Sequence, residues 1–176
     1  MEKHMAECMT RPKAFVSRRL PEEGLRALFE KCDVEVNPFE RALTPEELRR
    51  AVADKDAILC VADRIDAGVI DSAPNLKIIS NFGVGYDNID VDYATKKGII
   101  VTNLPGVVTE STAEMTWALL LAVARRIVEA DRLARAGESF DWSPTLLMGT
   151  HLAGKRLGIV GFGRIGQAVA RRAIPF

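Results

Sequence analysis

The sequence predicts an α/β protein built on a doubly wound parallel sheet. Three observations carry that expectation. Short apolar runs alternate with amphipathic helical stretches at strand–helix spacing through the first hundred or so residues. The run at 57–61 (AILCV) is apolar without interruption, as in a strand covered on both faces. Helix starts are written in capping residues, most plainly in Thr44-Pro45-Glu46-Glu47.

The elements follow in order. Residues 13–17 (KAFVS) read as a strand. Pro21 suits a first helical turn, Glu22 and Glu23 favour its positive end, and Leu25, Leu28 and Phe29 recur at helical spacing as far as Cys32. Residues 33–36 form a second strand. Thr44 then caps a helix to about Asp54, with proline at the first position and glutamate three residues after the cap. The 57–61 strand comes next, then a short helix from Asp66 to about Ala73. A strand at 77–80, a helix at 90–97 stopped by Gly98, and a fifth strand at 99–102 complete the set.

Asn103-Leu104-Pro105-Gly106 marks a turn or hinge. Thr109 can cap a long helix beyond it. Met115, Ala118, Leu119, Leu121, Ala122 and Ile127 make that helix apolar around most of its girth, so it is expected to be buried on several sides. It continues or restarts through Arg135 and ends at Gly137. A polar loop holds Trp142 and Pro144. Residues 157–160 (LGIV) read as a buried strand, and a helical pattern runs over 167–173. The expected organisation is a flexible tail at 1–12, a first domain at 13–103, and the start of a second at 104–176.

Bulk properties narrow the function. Lys+Arg and Asp+Glu both number 24, so no basic face is indicated and nucleic acid is an unexpected partner. Cys8, Cys32 and Cys60 are scattered without metal-ligand spacing, which argues against a disulfide framework and a zinc site; no metal is expected. Cys60, inside an apolar run, reads as a small buried residue. No apolar run reaches the ~20 residues that span a membrane, and the polar tail lacks a signal-peptide core. A cytoplasmic location is the expectation.

The sharpest motif is Gly161-Phe162-Gly163-Arg164-Ile165-Gly166, between an apolar strand pattern and a helical one. Gly161 permits the tight turn, Gly163 lets a pyrophosphate approach the backbone, and Gly166 allows close helix–strand packing. The amides of Arg164 and Ile165 then open a helix N-terminus suited to phosphates. A residue selecting NAD or NADP belongs ~20 residues further on, so cofactor preference is not legible. A second motif, Gly83-Val84-Gly85-Tyr86-Asp87-Asn88, follows a strand, where open α/β sheets bind ligands. It reads equally as an anion nest or as a glycine-rich turn before the Asp90 cap. His4, His151, the Asp63–Asp66 stretch and the arginine pairs 125–126 and 171–172 read as solvated groups. Trp142 reads as an interface anchor or the cover of a local cluster.

The run ISNFGVGYDNIDVDYATKKGIIVTNLPGVVTESTAEMTWALLLAVARR, followed by FDWSPTLLMGTHLAGKRLGIVGFGRIGQAVARRA, resembles the D-2-hydroxyacid dehydrogenase family, in its glyoxylate/hydroxypyruvate reductase branch. The resemblance spans 13–176. It implies a flavodoxin-like substrate-binding sheet at 13–103, then a dimerisation helix and the first strand–helix unit of a truncated Rossmann domain. It implies hydride transfer between NAD or NADP and a small 2-keto or 2-hydroxy acid. Val84 and Gly85 match the substrate-carboxylate site, with Val61 and Ala62 on a strand end facing the substrate. Val84, Thr112, Gly161, Phe162, Gly163, Arg164, Ile165 and Gly166 match cofactor positions. The 109–126 helix matches the one through which these enzymes form homodimers, and the Trp142 loop matches one that reaches a partner subunit's site. The family's catalytic arginine, acid and histidine follow the glycine motif, so no catalytic residue is expected in these 176 residues, and the isolated chain is expected to be inactive. A non-catalytic dimeric binding module of the same fold stays open, as does a formate dehydrogenase-like or corepressor-like branch; the Trp142 loop favours the reductases.

Overall fold

A computed structural model describes residues 11–137 and 141–176. The chain divides into two compact units, Met1–Pro105 and Gly106–Phe176. In the first, five strands form one sheet: β1 (Lys13–Val16), β2 (Asp33–Val36), β3 (Ala57–Cys60), β4 (Ile78–Asn81) and β5 (Ile100–Thr102). Their order is β2-β1-β3-β4-β5, with every pairing parallel. This is the flavodoxin-like order expected, and the strand order reverses between β1 and β3.

Three helices start on a side-chain cap; Thr109, expected to cap the long helix after the hinge, instead lies inside it, and Val108 stands at the cap position without a side-chain bond. In α2 (Pro45–Val52), Thr44 and Glu47 form a full capping box. The Arg41 guanidinium grips Glu47 through two 2.7 Å bonds and holds its carboxyl down at about 2. Asp66 caps α3 (Ala67–Asp71) and Asp90 caps α4 (Val91–Lys96), each accepting from the amide three residues on. Gly98, at φ 75, turns the chain from α4 into β5. The helix α1 (Glu22–Lys31) has the expected acidic first turn.

Alternation along the strands sends Phe15, Ile58, Cys60 and Ile79 into one core with Leu48, Val52, Val69, Ile70 and Ala94. Successive right-handed crossovers place α2, α3 and α4 on that face. Each fully buried Phe or Ile there contributes about 1.5–3 kcal/mol. On the opposite face, Leu25 and Leu28 of α1 line an open apolar cleft with Ala14, Ala57, Leu59 and Ile78.

The second unit holds α5 (Thr109–Ala124), α6 (Ile127–Ala136) and α7 (Arg164–Ala173). Trp117 joins α5 to α7: its Nε1 donates to the Val169 carbonyl at 3.0 Å, and its ring stacks on Phe176 with centroids 4.7 Å apart. Glu110 and Glu114 pair across with Arg172, and Glu110 also with Arg171. The long helix restarts rather than continues, because Arg126 takes a left-handed conformation; Gly137 does the same where α6 ends.

Three expectations change here. The α5 helix buries only Ala113 and Trp117, while Met115, Leu119 and Val123 stay exposed. A helix apolar on all sides still needs a neighbour on each, and α7 occupies one side. Residues 157–160, expected as a buried strand, have no ladder partner among the described residues, and Val160 is fully exposed. An apolar pattern specifies a strand only when another strand lies within hydrogen-bonding distance. The final helix begins at Arg164, three residues earlier than its apolar pattern suggests, because the glycine turn feeds directly into it.

Candidate functional site

The loop after β4 is held by its carbonyl groups. The Leu104 amide donates to the Gly83 oxygen at 2.9 Å, Asn103 Nδ2 to the Val84 oxygen at 2.8 Å, and Asn81 Nδ2 to the Gly85 oxygen at 2.5 Å. A trans peptide points its N–H opposite its C=O. Fixing these three carbonyls therefore fixes the N–H groups of Val84, Gly85 and Tyr86, none of which has a partner among the described residues. Val84, Gly85 and Tyr86 are all exposed. Oriented, unpaired backbone amides in a glycine-rich loop bind an anion without bringing a mobile cation. A side chain on Gly83 would press on Asn81, and one on Gly85 would come 3.1 Å from an Asp87 carboxylate oxygen.

A buried polar knot backs this loop at the ends of β1 and β3. Ser17 Oγ donates to Asp63 Oδ2, and the Val61 amide donates to both, at 3.0 Å to Ser17 Oγ and 3.1 Å to Asp63 Oδ2. Arg18 meets the other Asp63 oxygen at 2.8 Å. Between Val61 and Asp63, Ala62 sits at φ 57, a left-handed conformation that costs about 1–3 kcal/mol and needs its surroundings to impose it. Asn88 Nδ2 donates to the Asp63 carbonyl at 2.9 Å, tying this turn to the β4 loop. Val61 is thus fixed at the end of β3, which Asn88 ties to the β4 loop. The sequence reads Asp63 as solvated; instead its side chain is only 4% exposed, because the ion pair and hydrogen bonds replace water. Burial, with the Asp63 charge second, pushes the Cys60 thiol up to about 12, so it is no nucleophile near neutral pH.

In the second unit, Gly161 takes φ 88 and Gly163 stands at the N-terminal cap of α7, with Arg164 and Ile165 in its first turn. A methyl group on Gly166 would collide with the Gly161 carbonyl, whereas one on Gly163 meets nothing within 4 Å. The turn is closed from inside at Gly166 and open toward solvent at Gly163. Gln167 Nε2 donates to the Phe162 carbonyl at 3.1 Å. This is the geometry of a helix N-terminus that accepts an anion. Thr112 lies in the first turn of α5, its amide bonded to the Val108 carbonyl. His151 and Trp142 are exposed, Trp142 at 82%. His4 lies outside the described residues.

Asn81, Asn103, Ser17 and Asp63 escape a reading of the sequence alone. Each is a polar residue at or near a strand end whose partners the fold brings close: loop carbonyls for Asn81 and Asn103, each other's side chains and the Val61 amide for Ser17 and Asp63. The one available signal is position: all four stand at or just beyond the C-terminal ends of β1, β3, β4 and β5.

The model of the D-isomer specific 2-hydroxyacid dehydrogenase catalytic domain matches residues 14–171. A glyoxylate reductase of Thermococcus kodakarensis is 52% identical over 171 residues, covering 94% of this chain and 51% of that protein. A Thermus thermophilus protein of known crystal structure superposes with a TM-score of 0.86 at 46% identity, over 93% of this chain and 53% of that one. An NADPH-dependent glyoxylate/hydroxypyruvate reductase from Sinorhizobium meliloti, crystallised with NADP and malonate, superposes at 0.72 with 32% identity, over 94% of this chain and 51% of that one. The chain spans about half the length of the curated relatives it matches.

Proposed function

Since the chain belongs to the D-isomer specific 2-hydroxyacid dehydrogenase family, we propose that it is part of an NAD- or NADP-dependent enzyme that reduces glyoxylate, hydroxypyruvate or a similar small 2-keto acid. The observation that carries this reading is the row of oriented, unpaired amides at Val84, Gly85 and Tyr86. In it, residues 13–103 bind substrate, with Val84 and Gly85 donating to the carboxylate and Val61 facing the acid. Residues 104–176 begin the dinucleotide-binding part. There the Arg164 and Ile165 amides take the pyrophosphate, Gly161, Phe162, Gly163 and Gly166 shape the turn, and Val84 and Thr112 lie against the nicotinamide end of the cofactor. The bound cofactor supplies the hydride. No histidine or arginine of these residues takes the family's acid/base and carboxylate-clamping roles. General acid–base catalysis alone contributes roughly 10²–10⁴-fold.

The same reading makes the protein a cytoplasmic homodimer. Met115, Leu119 and Val123 recur every four residues and form an exposed apolar stripe on α5, suited to a second copy. In such a dimer, exposed Trp142 reaches the partner's site. A non-catalytic dimeric module would use the same stripe and keep the amide row only to bind a ligand.

The test is a turnover and binding assay on the purified 176-residue chain. The expected result is no oxidation of NADH or NADPH with glyoxylate or hydroxypyruvate, together with weak binding of both cofactors and little discrimination between them. Turnover would refute the inactivity of the isolated chain. Complete failure to bind either cofactor would refute the phosphate site.

A further inference from the structure

We propose that Asn103 and Asn81 are positioning residues for the carboxylate of the substrate, a role that rests on reading the β4 loop as the carboxylate site. Carbonyl oxygens only accept hydrogen bonds, so each asparagine must present its amide nitrogen to the loop. Asn103 grips the Val84 oxygen at 2.8 Å and thereby sets the plane carrying the Gly85 N–H. Asn81 grips the Gly85 oxygen at 2.5 Å and sets the plane carrying the Tyr86 N–H. Without these grips, the peptide planes in a loop with two glycines would rotate at small cost. A nest works only if its dipoles are aligned before the anion arrives.

The two residues differ in how they are held. Asn81 is buried, and its Oδ1 lies 3.5 Å from both Cys60 Sγ and Asn88 Nδ2. Those contacts lock its amide so that the nitrogen faces Gly85. Asn88 carries the chain of contacts on to Asp63 and so to the β3 end. Asn103 is only partly buried and follows β5 directly, so its side chain reaches the loop from the neighbouring strand end. Three strand ends thus meet around one loop, and two side-chain amides fix the orientation of its amide row.

The test is a titration of the nitrogen-15-labelled 176-residue chain with oxamate, a non-reducible 2-keto acid analogue. It compares the unchanged chain with Asn103→Ala and Asn81→Ser. In the unchanged chain, oxamate should shift the Val84 and Gly85 amide resonances saturably. Asn103→Ala should weaken oxamate binding roughly five- to tenfold, the equivalent of one lost orienting hydrogen bond. Its melting temperature should stay within about 2 °C, as for a partly exposed substitution. Before any oxamate is added, the residual dipolar coupling of the Gly85 N–H should change while that of Val84, held by the Leu104 backbone, does not. In Asn81→Ser the change should fall on Tyr86. An Asn103→Ala chain that binds oxamate normally and keeps its Gly85 coupling overturns the proposal and leaves the carboxylate reading standing. Oxamate that leaves the Val84 and Gly85 resonances of the unchanged chain unmoved overturns that reading and this proposal with it.

Discussion

The glycine turn makes a prediction in which two similar substitutions have opposite effects. A Cβ built on Gly166 collides with the Gly161 carbonyl and comes within 3.4 Å of Ile159 Cγ2. The first is backbone and cannot swing aside, so Gly166→Ala must displace the start of α7 or open the turn. Forcing a methyl into a packed site costs about 1–3 kcal/mol. At about 2–4 °C per kcal/mol for a chain of this size, a 2 kcal/mol cost lowers the melting temperature by about 4–8 °C. Gly163→Ala meets nothing within 4 Å and requires no left-handed backbone, so its melting temperature should hold within about 2 °C. If the proposed pyrophosphate site lies at this open side, the added methyl should lower NADPH affinity at least tenfold. The assays are thermal unfolding by circular dichroism and calorimetric titration with NADPH. If Gly163→Ala binds NADPH normally, the open side of the turn is not the phosphate site. If Gly166→Ala is as stable as the unchanged chain, the packing argument fails.

Three further outcomes follow from exposure and burial. Leu119→Glu with Val123→Glu should dissociate a dimer built on α5, because two like charges would enter an apolar interface; sedimentation equilibrium checks this, and a monomeric unchanged chain would refute the interface. Cys60 should resist thiol reagents at pH 8 in the native state while partly exposed Cys32 reacts, as counted in a Cys8→Ser chain. The Cys60 thiol is raised by burial to about 12, so its contribution to stability is whole below the ordinary thiol value near 9. That contribution is lost as pH rises from there toward 12, and unfolding should become easier over that window unless Cys60 is replaced by Ala.

The strands and helix caps of the first unit were legible in the sequence because each depends on nearby residues. Thr44, Asp66 and Asp90 form the hydrogen bonds their spacing implied. The turn at Gly161–Gly166 was legible for the same reason, since φ 88 at Gly161 and the close approach at Gly166 are demands that only glycine meets. Long-range features were not. Apolarity at 157–160 suggested burial, yet burial needs a neighbouring strand, which sequence pattern does not supply. The α5 helix looked buried all round, and its pattern could not say which flank a single copy leaves open. Asn81 and Asn103 looked like ordinary loop polars, because the carbonyls they hold lie at Gly85 and Val84, selected by the fold and not by a motif.

The proposed function stands or falls on recognition of a 2-keto acid carboxylate by the amides after β4. The most direct measurement is a crystal structure of the chain grown with oxamate. The carboxylate oxygens should lie at about 2.7–3.2 Å from the Val84 and Gly85 nitrogens, with Asn103 still bonded to the Val84 carbonyl. Oxamate bound elsewhere on the chain, with those two amides turned away or left to solvent, would contradict it.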